Sequence, residues 1–274
     1  MPTPFTAMSF NLRNMRARDG DDGWEHRVEA VGRAIHLATP DILGTQEGYM
    51  PQIESLKSML PEYGCVATGR DNGADEGETC ALFYLHSRWK LLSSGTFWFS
   101  ETPHVAGSHH WTHHLRRICT WATLEDNASG WPVTVCCVHL DHESVSARAN
   151  SIDMLMEPWQ FMPGAPATGT SIVMGDFNMT PDDTDLNRLL APKTGWNDSW
   201  IKACSGTTLS SSAHDGTFHD FTGRTDMGRI DYILTRGGIK TRTARIWNQR
   251  DSATGRFASD HFPISAELEL LPEA

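Results

Sequence analysis

Apolar positions along the first fifty residues fall into two kinds of periodic segment. Continuous apolar runs at residues 5–12 and 42–46 indicate strands that are buried on both faces. Between these runs, apolar side chains recur at helical spacing from Trp24 to Ile35. The order strand, loop, helix, strand is typical of α/β proteins.

The same patterns continue to the end of the chain. Further strands are predicted at residues 64–68, 80–86, 89–99, 118–124, 133–140, 171–174, 230–235, 240–247 and 263–270. Further helices are predicted at residues 51–60, 145–159 and 181–190. About ten strands with a few amphipathic helices predict an α/β (α+β) fold in which two packed sheets carry helices on their outer faces. Since no linker or internal repeat interrupts the pattern, we expect one domain over residues 1–274.

Composition and charge narrow the partners of this fold. The formal net charge is −11, whereas proteins that hold long nucleic acids without sequence choice usually carry a basic surface. Nucleic acid is therefore not favoured as a partner, and no obligate protein partner is evident.

The six cysteines contain no CxxC pair, so free thiols are expected. Because neither a signal peptide nor an apolar run of about 18 residues is visible, we predict a cytoplasmic chain without membrane association.

Short polar motifs stand at the ends of the apolar runs. They are SFNLR (residues 9–13), TQE (45–47), VHLDH (138–142), GDFN (175–178), RIDYI (229–233) and SDH (259–261). Carboxylates, amides and imidazoles supplied by separate strands are what a phosphoester site built around a hard cation requires. The motifs predict a metal-dependent phosphoesterase.

The GDFN motif follows a predicted strand. In an extended backbone, Asp176 and Asn178 point to the same side, so the carboxylate could take a proton from water while the amide donates to a phosphate oxygen. The alternative is a structural Asp/Asn turn at a strand end.

The SDH and RIDYI motifs suggest a pair of acid and imidazole. Asp260 could face a metal and His261 the phosphate. Asp231 lies between apolar neighbours, where a buried carboxylate requires a partner. We expect Asp231 to accept a hydrogen bond from His261, which fixes the tautomer of the imidazole and favours its charged form.

Three further polar residues end or interrupt apolar strands. Glu47 and Asn11 occupy strand ends where Mg²⁺ commonly finds its carboxylate and carbonyl ligands. His139 breaks the apolar run at residues 133–140. The competing interpretation of Glu47 and Asn11 is a cap or a polar loop residue. The competing interpretation of His139 is a core histidine whose hydrogen bonds are satisfied.

Arg117, His219 and Trp98 are secondary candidates for substrate binding. Arg117 begins a strand and could reach a substrate phosphate, or it could pair with a carboxylate on a neighbouring strand. His219 is predicted to line the pocket. Trp98 could stack on a base or sugar, although core packing is the usual role of Trp in an apolar strand.

Together these motifs resemble the endonuclease/exonuclease/phosphatase superfamily, the fold of pancreatic deoxyribonuclease, in the order in which that family carries them. The resemblance implies a four-layer sandwich, two packed mixed β-sheets flanked by helices, with Mg²⁺ or Mn²⁺ as cofactor. A narrower resemblance, carried by residues 97–103, 117–122 and 216–219, is to a bacterial branch whose substrates are not fixed by motif. The position two residues after Asn11 departs from some nucleases of the superfamily, because Arg13 stands where they carry an acid.

The resemblance also implies roles for the residues named above. The implied metal-side residues are Asn11, Glu47 and Asp260, and the implied catalytic residues are His139, Asp176, Asn178, Asp231 and His261. The expected reaction is hydrolysis of a phosphodiester or phosphomonoester by in-line attack of water, with a small or short substrate favoured. A nuclease acting on DNA or RNA and a catalytically inactive binding module are the competing functions.

Overall fold

The computed structural model describes residues 3–109, 114–165, 169–204 and 215–271. Within them, twelve strands form two six-stranded sheets. The strands are β1 (Phe5–Asn11), β2 (Ile42–Gln46), β3 (Tyr63–Val66), β4 (Cys80–Leu85), β5 (Trp89–Trp98), β6 (Ile118–Asp126), β7 (Pro132–His139), β8 (Ser171–Asp176), β9 (Asn197–Asp198), β10 (Asp231–Arg236), β11 (Ile239–Ile246) and β12 (Ile264–Leu270).

Each sheet contains one parallel pair of strands at its centre. The first sheet has the order β11-β12-β1-β2-β4-β3, and the second has the order β5-β6-β7-β8-β10-β9. The pairs β1–β2 and β7–β8 are parallel, and the other pairings are antiparallel. Both sheets are therefore mixed, as predicted.

Helices cover the outer faces of the sheets. They are α1 (Trp24–Ala38), α2 (Met50–Met59), α3 (Val145–Met156), α4 (Thr184–Leu189) and α5 (Ser199–Cys204), with short 3-10 helices at Gly20–Asp22, Pro158–Phe161 and Pro192–Thr194. No helix in the described part of the chain has the length and apolar composition that crossing a bilayer requires.

Three apolar clusters separate the layers. The largest lies between the two sheets and includes Ile42 and Met174. A second joins α3 and α4 to the second sheet, and a third joins α1 and α2 to the first sheet. Because the central strands are covered on both faces, they read as continuous apolar runs rather than as an alternation. The four-layer sandwich expected from the sequence is confirmed.

The structure differs from the predicted elements mainly at helix boundaries. The helix predicted at residues 145–159 stops at Met156, and Pro158 begins a 3-10 helix instead. The helix predicted at residues 181–190 starts at Thr184, because Asp183 caps it by accepting two backbone N–H groups. The sequence analysis misses β9 and α5, which are too short to show a period.

Candidate active site

The ends of several central strands meet at one edge of the sandwich. In each parallel pair the final residues are in register, which brings Asn11 beside the end of β2 and His139 beside Asp176. Because β10 is antiparallel to β8, its first residue, Asp231, also lies opposite Asp176. The segment before β12, residues 259–261, reaches the same edge. Topology alone therefore collects side chains that are far apart in the sequence.

Asn11 holds two carboxylates together. Its amide nitrogen donates to Oε1 of Glu47 at 3.0 Å and to Oδ2 of Asp176 at 3.1 Å. Its Oδ1 accepts the backbone N–H of Arg13 at 3.0 Å. Asn11 thus lies on the metal side of the site as a residue that positions Glu47 and Asp176, and a direct contact of its oxygen with a metal remains a prediction. Asn14 adds hydrogen bonds from its backbone and its side chain to Oε2 of Glu47.

The two carboxyl groups differ in acidity. Burial raises the pKa of Glu47, but the hydrogen bond from Asn11 and the charge of His261 outweigh it, so this pKa lies below its usual value. Burial raises the pKa of Asp176 to about 7, with Asp231 adding to the increase and His261 opposing it. Glu47 is consequently an anion at neutral pH, whereas Asp176 titrates there, which suits an acceptor of protons.

His261 and Asp231 form a buried pair. Nδ1 of the imidazole lies 2.9 Å from Oδ2 of Asp231, and its Nε2 lies 3.8 Å from Oδ2 of Asp176. Burial alone would lower the pKa of His261, but the charge and hydrogen bond of Asp231, followed by Asp176, raise it well above its usual value. The predicted hydrogen bond between Asp231 and His261 is confirmed. The raised pKa favours the charged form of His261, whose Nε2 points toward Asp176.

The pKa of His139 is shifted in the opposite direction to that of His261. Burial and the nearby charges of Arg117 and Arg70 lower the pKa of His139 well below its usual value. Its Nε2 lies 3.6 Å from Oδ2 of Asp176, and its buried Nδ1 has no hydrogen-bond partner within the described residues. His139 thus lies at the site with its Nε2 toward Asp176, and its catalytic role remains a prediction.

Asn178 reaches the site through an Asp/Asn turn at the end of β8, the alternative considered for this motif. The residue has a φ of +51°, so the chain is no longer extended beyond Asp176 and the same-side argument fails. The backbone N–H of Asn178 donates to Oδ1 of Asp176 at 2.9 Å, and its side-chain amide donates to the carbonyl of Leu140 at 3.1 Å. This turn, together with the buried Phe177, fixes both polar groups at the cleft.

Asp260 lies next to the guanidinium group of Arg13, which follows β1. Its Oδ2 is 3.5 Å from Nη1 of Arg13, and its Oδ1 accepts from Ser259 at 3.1 Å. Burial raises the pKa of Asp260 above its usual value. Asp19 holds the guanidinium of Arg13 with two hydrogen bonds, of 3.0 and 2.8 Å. Arg13 thus neutralises the predicted second metal-side carboxylate.

One group of side chains fits a divalent cation. Glu47, His139 and Asp176 each offer a ligand atom, and these atoms lie within 4.8 Å of one another. The two carboxylates supply oxygen donors of the kind that Mg²⁺ and Mn²⁺ prefer, and the neutral imidazole lies beside them. A second group, formed by Asp176, Asp231 and His261, is equally close, but two of its members hydrogen-bond to each other.

A cleft of about 320 Å³ opens above these groups. Its lining includes the predicted residues Arg117 and Asn178, and also Arg70, Glu78 and Phe218. Sequence reasoning misses the last three. Arg70 and Glu78 lie in the loop between β3 and β4, where no periodic pattern marks them, and they form an ion pair of 2.5 Å.

Two predicted substrate-binding residues lie outside the cleft. Trp98 is 5% exposed, packs between the sheets, and donates its indole N–H to the carbonyl of Arg70. It offers no face to a base or sugar, so core packing is the correct interpretation. His219 is fully buried and stacks on Phe262 at a ring distance of 3.9 Å. It lines a separate cavity behind His261 rather than the cleft.

Comparisons with known proteins agree with this geometry. The model of the endonuclease/exonuclease/phosphatase family matches residues 8–261. A family member of known structure from Bacteroides thetaiotaomicron is 30% identical with a TM-score of 0.89, over 100% of this chain and 98% of that one. A mannosyl-6-phosphatase from the same species is also 30% identical, with a TM-score of 0.85 over 96% and 99% of the two chains. Mouse Nocturnin is 27% identical over 205 residues, which cover 66% of this chain and 44% of Nocturnin.

Proposed function

This chain belongs to the endonuclease/exonuclease/phosphatase family, and we propose that it is a divalent-metal-dependent phosphoesterase. The reaction is hydrolysis of a small or short phosphodiester or phosphomonoester by in-line attack of water. The main observation in support is that five side chains meet at one edge of the sandwich: Glu47, His139, Asp176 and the hydrogen-bonded Asp231 and His261. These groups come from both sheets, so chance packing is a poor explanation for their proximity.

Glu47 would hold the cation through its carboxylate, next to His139 and Asp176, with water completing the coordination. A bound Mg²⁺ or Mn²⁺ would polarise a phosphoryl oxygen and offset the charge on the leaving oxygen. Neutral His139, whose pKa lies well below its usual value through burial and the neighbouring arginines, has its Nε2 3.6 Å from Oδ2 of Asp176 and would contact a phosphate oxygen there.

The remaining residues act on water and on the phosphoryl group. Asp176 accepts a proton from the attacking water, because burial raises the pKa of Asp176 to about 7 and so matches it to neutral conditions. The backbone N–H of Asn178 holds that carboxylate in place. Charged His261 stabilises the oxygens of the transition state, oriented by Asp231. Positioning and charge neutralisation carry most of the rate acceleration in such transfers.

The size of the cleft favours a small substrate. A volume of about 320 Å³ lies at the lower end of the range of small-molecule sites, and the net charge of −11 opposes a long polyanion. The 30% identical mannosyl-6-phosphatase is, by its name, an enzyme with a small phosphorylated substrate. A nuclease is the alternative.

The test is a substrate panel assayed with and without a chelator. Single- and double-stranded oligonucleotides are compared with nucleotides, sugar phosphates and phospholipid headgroups. We expect chelator-sensitive hydrolysis of small phosphoesters, with little dependence on ionic strength. Faster cleavage of oligonucleotides, with a steep loss as salt rises, would establish the nuclease instead.

A variant pair links activity to the proposed site. Glu47→Gln should reduce turnover by about 100- to 1000-fold, because the permanent anion of the cation site is lost. The matched control is Glu54→Gln on the surface of α2, where the carboxylate pairs only with exposed Lys57. Equal activity of Glu47→Gln and the control would refute the assignment.

A further inference from the structure

Three guanidinium groups line the cleft. Arg13 follows β1, Arg70 lies in the loop after β3, and Arg117 immediately precedes β6. They come from both sheets and face the same opening as Glu47 and Asp176. Four carboxylates, of Glu47, Glu78, Asp176 and Asp260, line the same cleft, so the guanidinium groups stand among opposite charges.

Two of these groups are fixed by carboxylates. Arg70 pairs with Glu78 at 2.5 Å, and both side chains are less than one fifth exposed. Arg13 is held by Asp19 and lies 3.5 Å from Asp260. A guanidinium has five N–H donors, so each pair fixes the cation while leaving donors for an anion in the cleft.

Arg117 differs from the other two. Its side chain is 3% exposed, and only Nη2 has a partner, Nδ1 of His142 at 2.9 Å. Nε and Nη1 are buried without a hydrogen-bond partner, and no carboxylate lies within ion-pair distance in the parts of the chain that the structure covers. The carboxylates of Glu78, Asp141 and Asp176 offset part of the charge of Arg117, but its buried donors are left without acceptors, which is unfavourable. An anionic ligand that occupies the cleft would supply acceptors to this guanidinium.

The number of donors and charges distinguishes two kinds of phosphate. A phosphodiester offers two non-bridging oxygens and one negative charge. A terminal phosphate offers three such oxygens and a charge of about −1.5 to −2 at neutral pH. The third oxygen and the second charge of a terminal phosphate would match the unpartnered donors of Arg117 and charged His261 more fully than a diester would. The apolar side chains at the cleft are few, including Leu115 and Phe218, and leave room for a leaving group of modest size.

We propose that the substrate is a phosphomonoester of a small polar alcohol, whose terminal phosphate is recognised by the fork of Arg117 with support from Arg13 and Arg70. This inference rests on the proposed phosphoesterase activity and specifies its substrate class. The planar guanidinium binds two oxygens of the phosphate in parallel, a geometry that lysine cannot reproduce.

The experiment compares two reporters with the same leaving group, 4-nitrophenyl phosphate and bis(4-nitrophenyl) phosphate. We expect kcat/KM to be at least about 10-fold higher for the monoester. Arg117→Ala should reduce kcat/KM for the monoester by roughly 10- to 100-fold and for the diester much less. Arg117→Lys should recover only part of the loss. Arg116→Ala is the matched control, because that neighbouring arginine binds the carbonyl of Gly107 and Asp71 instead.

A binding measurement separates recognition from catalysis. Inorganic phosphate, the product that a monoesterase releases, should bind the wild-type protein in a calorimetric titration and bind Arg117→Ala about 10-fold or more weakly. Thermal unfolding of each variant verifies that it is folded. A preference for the diester, or an equal loss for both reporters in Arg117→Ala, would overturn this inference while leaving the phosphoesterase intact. Absence of metal-dependent release from either reporter would instead contradict the proposed function.

Discussion

Two histidines of the cleft lie close to the same carboxylate and yet differ in charge. His261 and His139 are both buried, at 3.8 and 3.6 Å from Oδ2 of Asp176. The pKa of His261 is raised well above its usual value, because Asp231 outweighs the effect of burial. The pKa of His139 is lowered by burial and by Arg117. The charges next to each ring, together with its burial, therefore decide which imidazole is a cation and which is neutral.

Replacement of Asp231 tests whether catalysis requires the positive charge of His261. In Asp231→Asn the imidazole of His261 keeps a hydrogen-bonding neighbour but loses the anion that stabilises its positive charge. We expect kcat to fall by about 100-fold, with KM changed by a factor of two or less, because the charge acts on the transition state. Steady-state kinetics at pH 7 check this, and Asp226→Asn, in an exposed ion pair with Arg224, is the control. A kcat within twofold of wild type would show that the pair is only structural.

The pairing of His261 with Asp231 could be predicted from sequence, because a carboxylate among apolar neighbours requires a partner. The atomic contacts of Asn11 and Asn178 could not be predicted from the sequence. They depend on left-handed backbone at Arg13, with a φ of +55°, and at Asn178 itself. Arg gives no sign of such a turn, and Asn only permits one, so the sequence located the residues without showing which atom each presents.

At the level of elements, the parallel pair β7–β8 sets the position of Asp176. Gly175, in register with Val138, has a φ of +150° that disfavours any side chain. A Cβ at this position would overlap the carbonyl oxygen of Val138. The close approach of the two strands at their carboxyl ends is what places His139 against Asp176.

Gly175→Ala should therefore damage both stability and activity. Because the obstacle is backbone rather than a flexible side chain, the strands must separate. We expect a loss of roughly 3 kcal/mol in the free energy of unfolding and at least a 10-fold loss of turnover. Urea unfolding with parallel activity assays measures both. Gly169→Ala, where a Cβ would meet no atom within 4 Å, should leave both unchanged.

Sequence patterns located the long elements and missed the short ones. The central strands were recognisable because both of their faces are buried, and α1 because one stripe is apolar. Strand β9 has two residues and is held by β10, and α5 has six and is held by β10 and β11, so neither depends on its own periodicity. Tertiary contacts of this kind leave no local signal.

At the scale of the whole molecule, the layered architecture hides most of the thiols. Cys80 and Cys137 lie between the two sheets, and Cys119 and Cys136 lie under α3 and α4. Cys65 is partly buried against the layer of α1 and α2. Since no cysteine is in a disulfide in the described parts of the chain, as the spacing predicted, the thiols must stay neutral in order to remain buried.

This arrangement predicts a loss of stability at alkaline pH. Burial raises the pKa of Cys65 to about 12, whereas an unfolded chain has a thiol pKa of about 8.5. The folded state therefore binds more protons than the unfolded state between these values, and stability falls as the pH rises through that window. At pH 9.5, one unit above the unfolded value, Cys65 alone should contribute a loss of roughly 1.4 kcal/mol relative to pH 7.5. Burial raises the pKa of Cys80 and Cys119 in the same direction.

Urea unfolding at pH 7.5 and 9.5, in a reducing buffer, measures this loss for wild type and for Cys65→Ala. The variant starts from a lower stability because a packed sulfur is removed, so the decisive quantity is the difference between the two pH values within each protein. We expect that difference to be smaller in Cys65→Ala by roughly 1.4 kcal/mol, the share of one titrating thiol. If the wild type is equally stable at both pH values, the thiols already ionise freely in the folded chain, and the layers cannot pack around them as tightly as the structure shows.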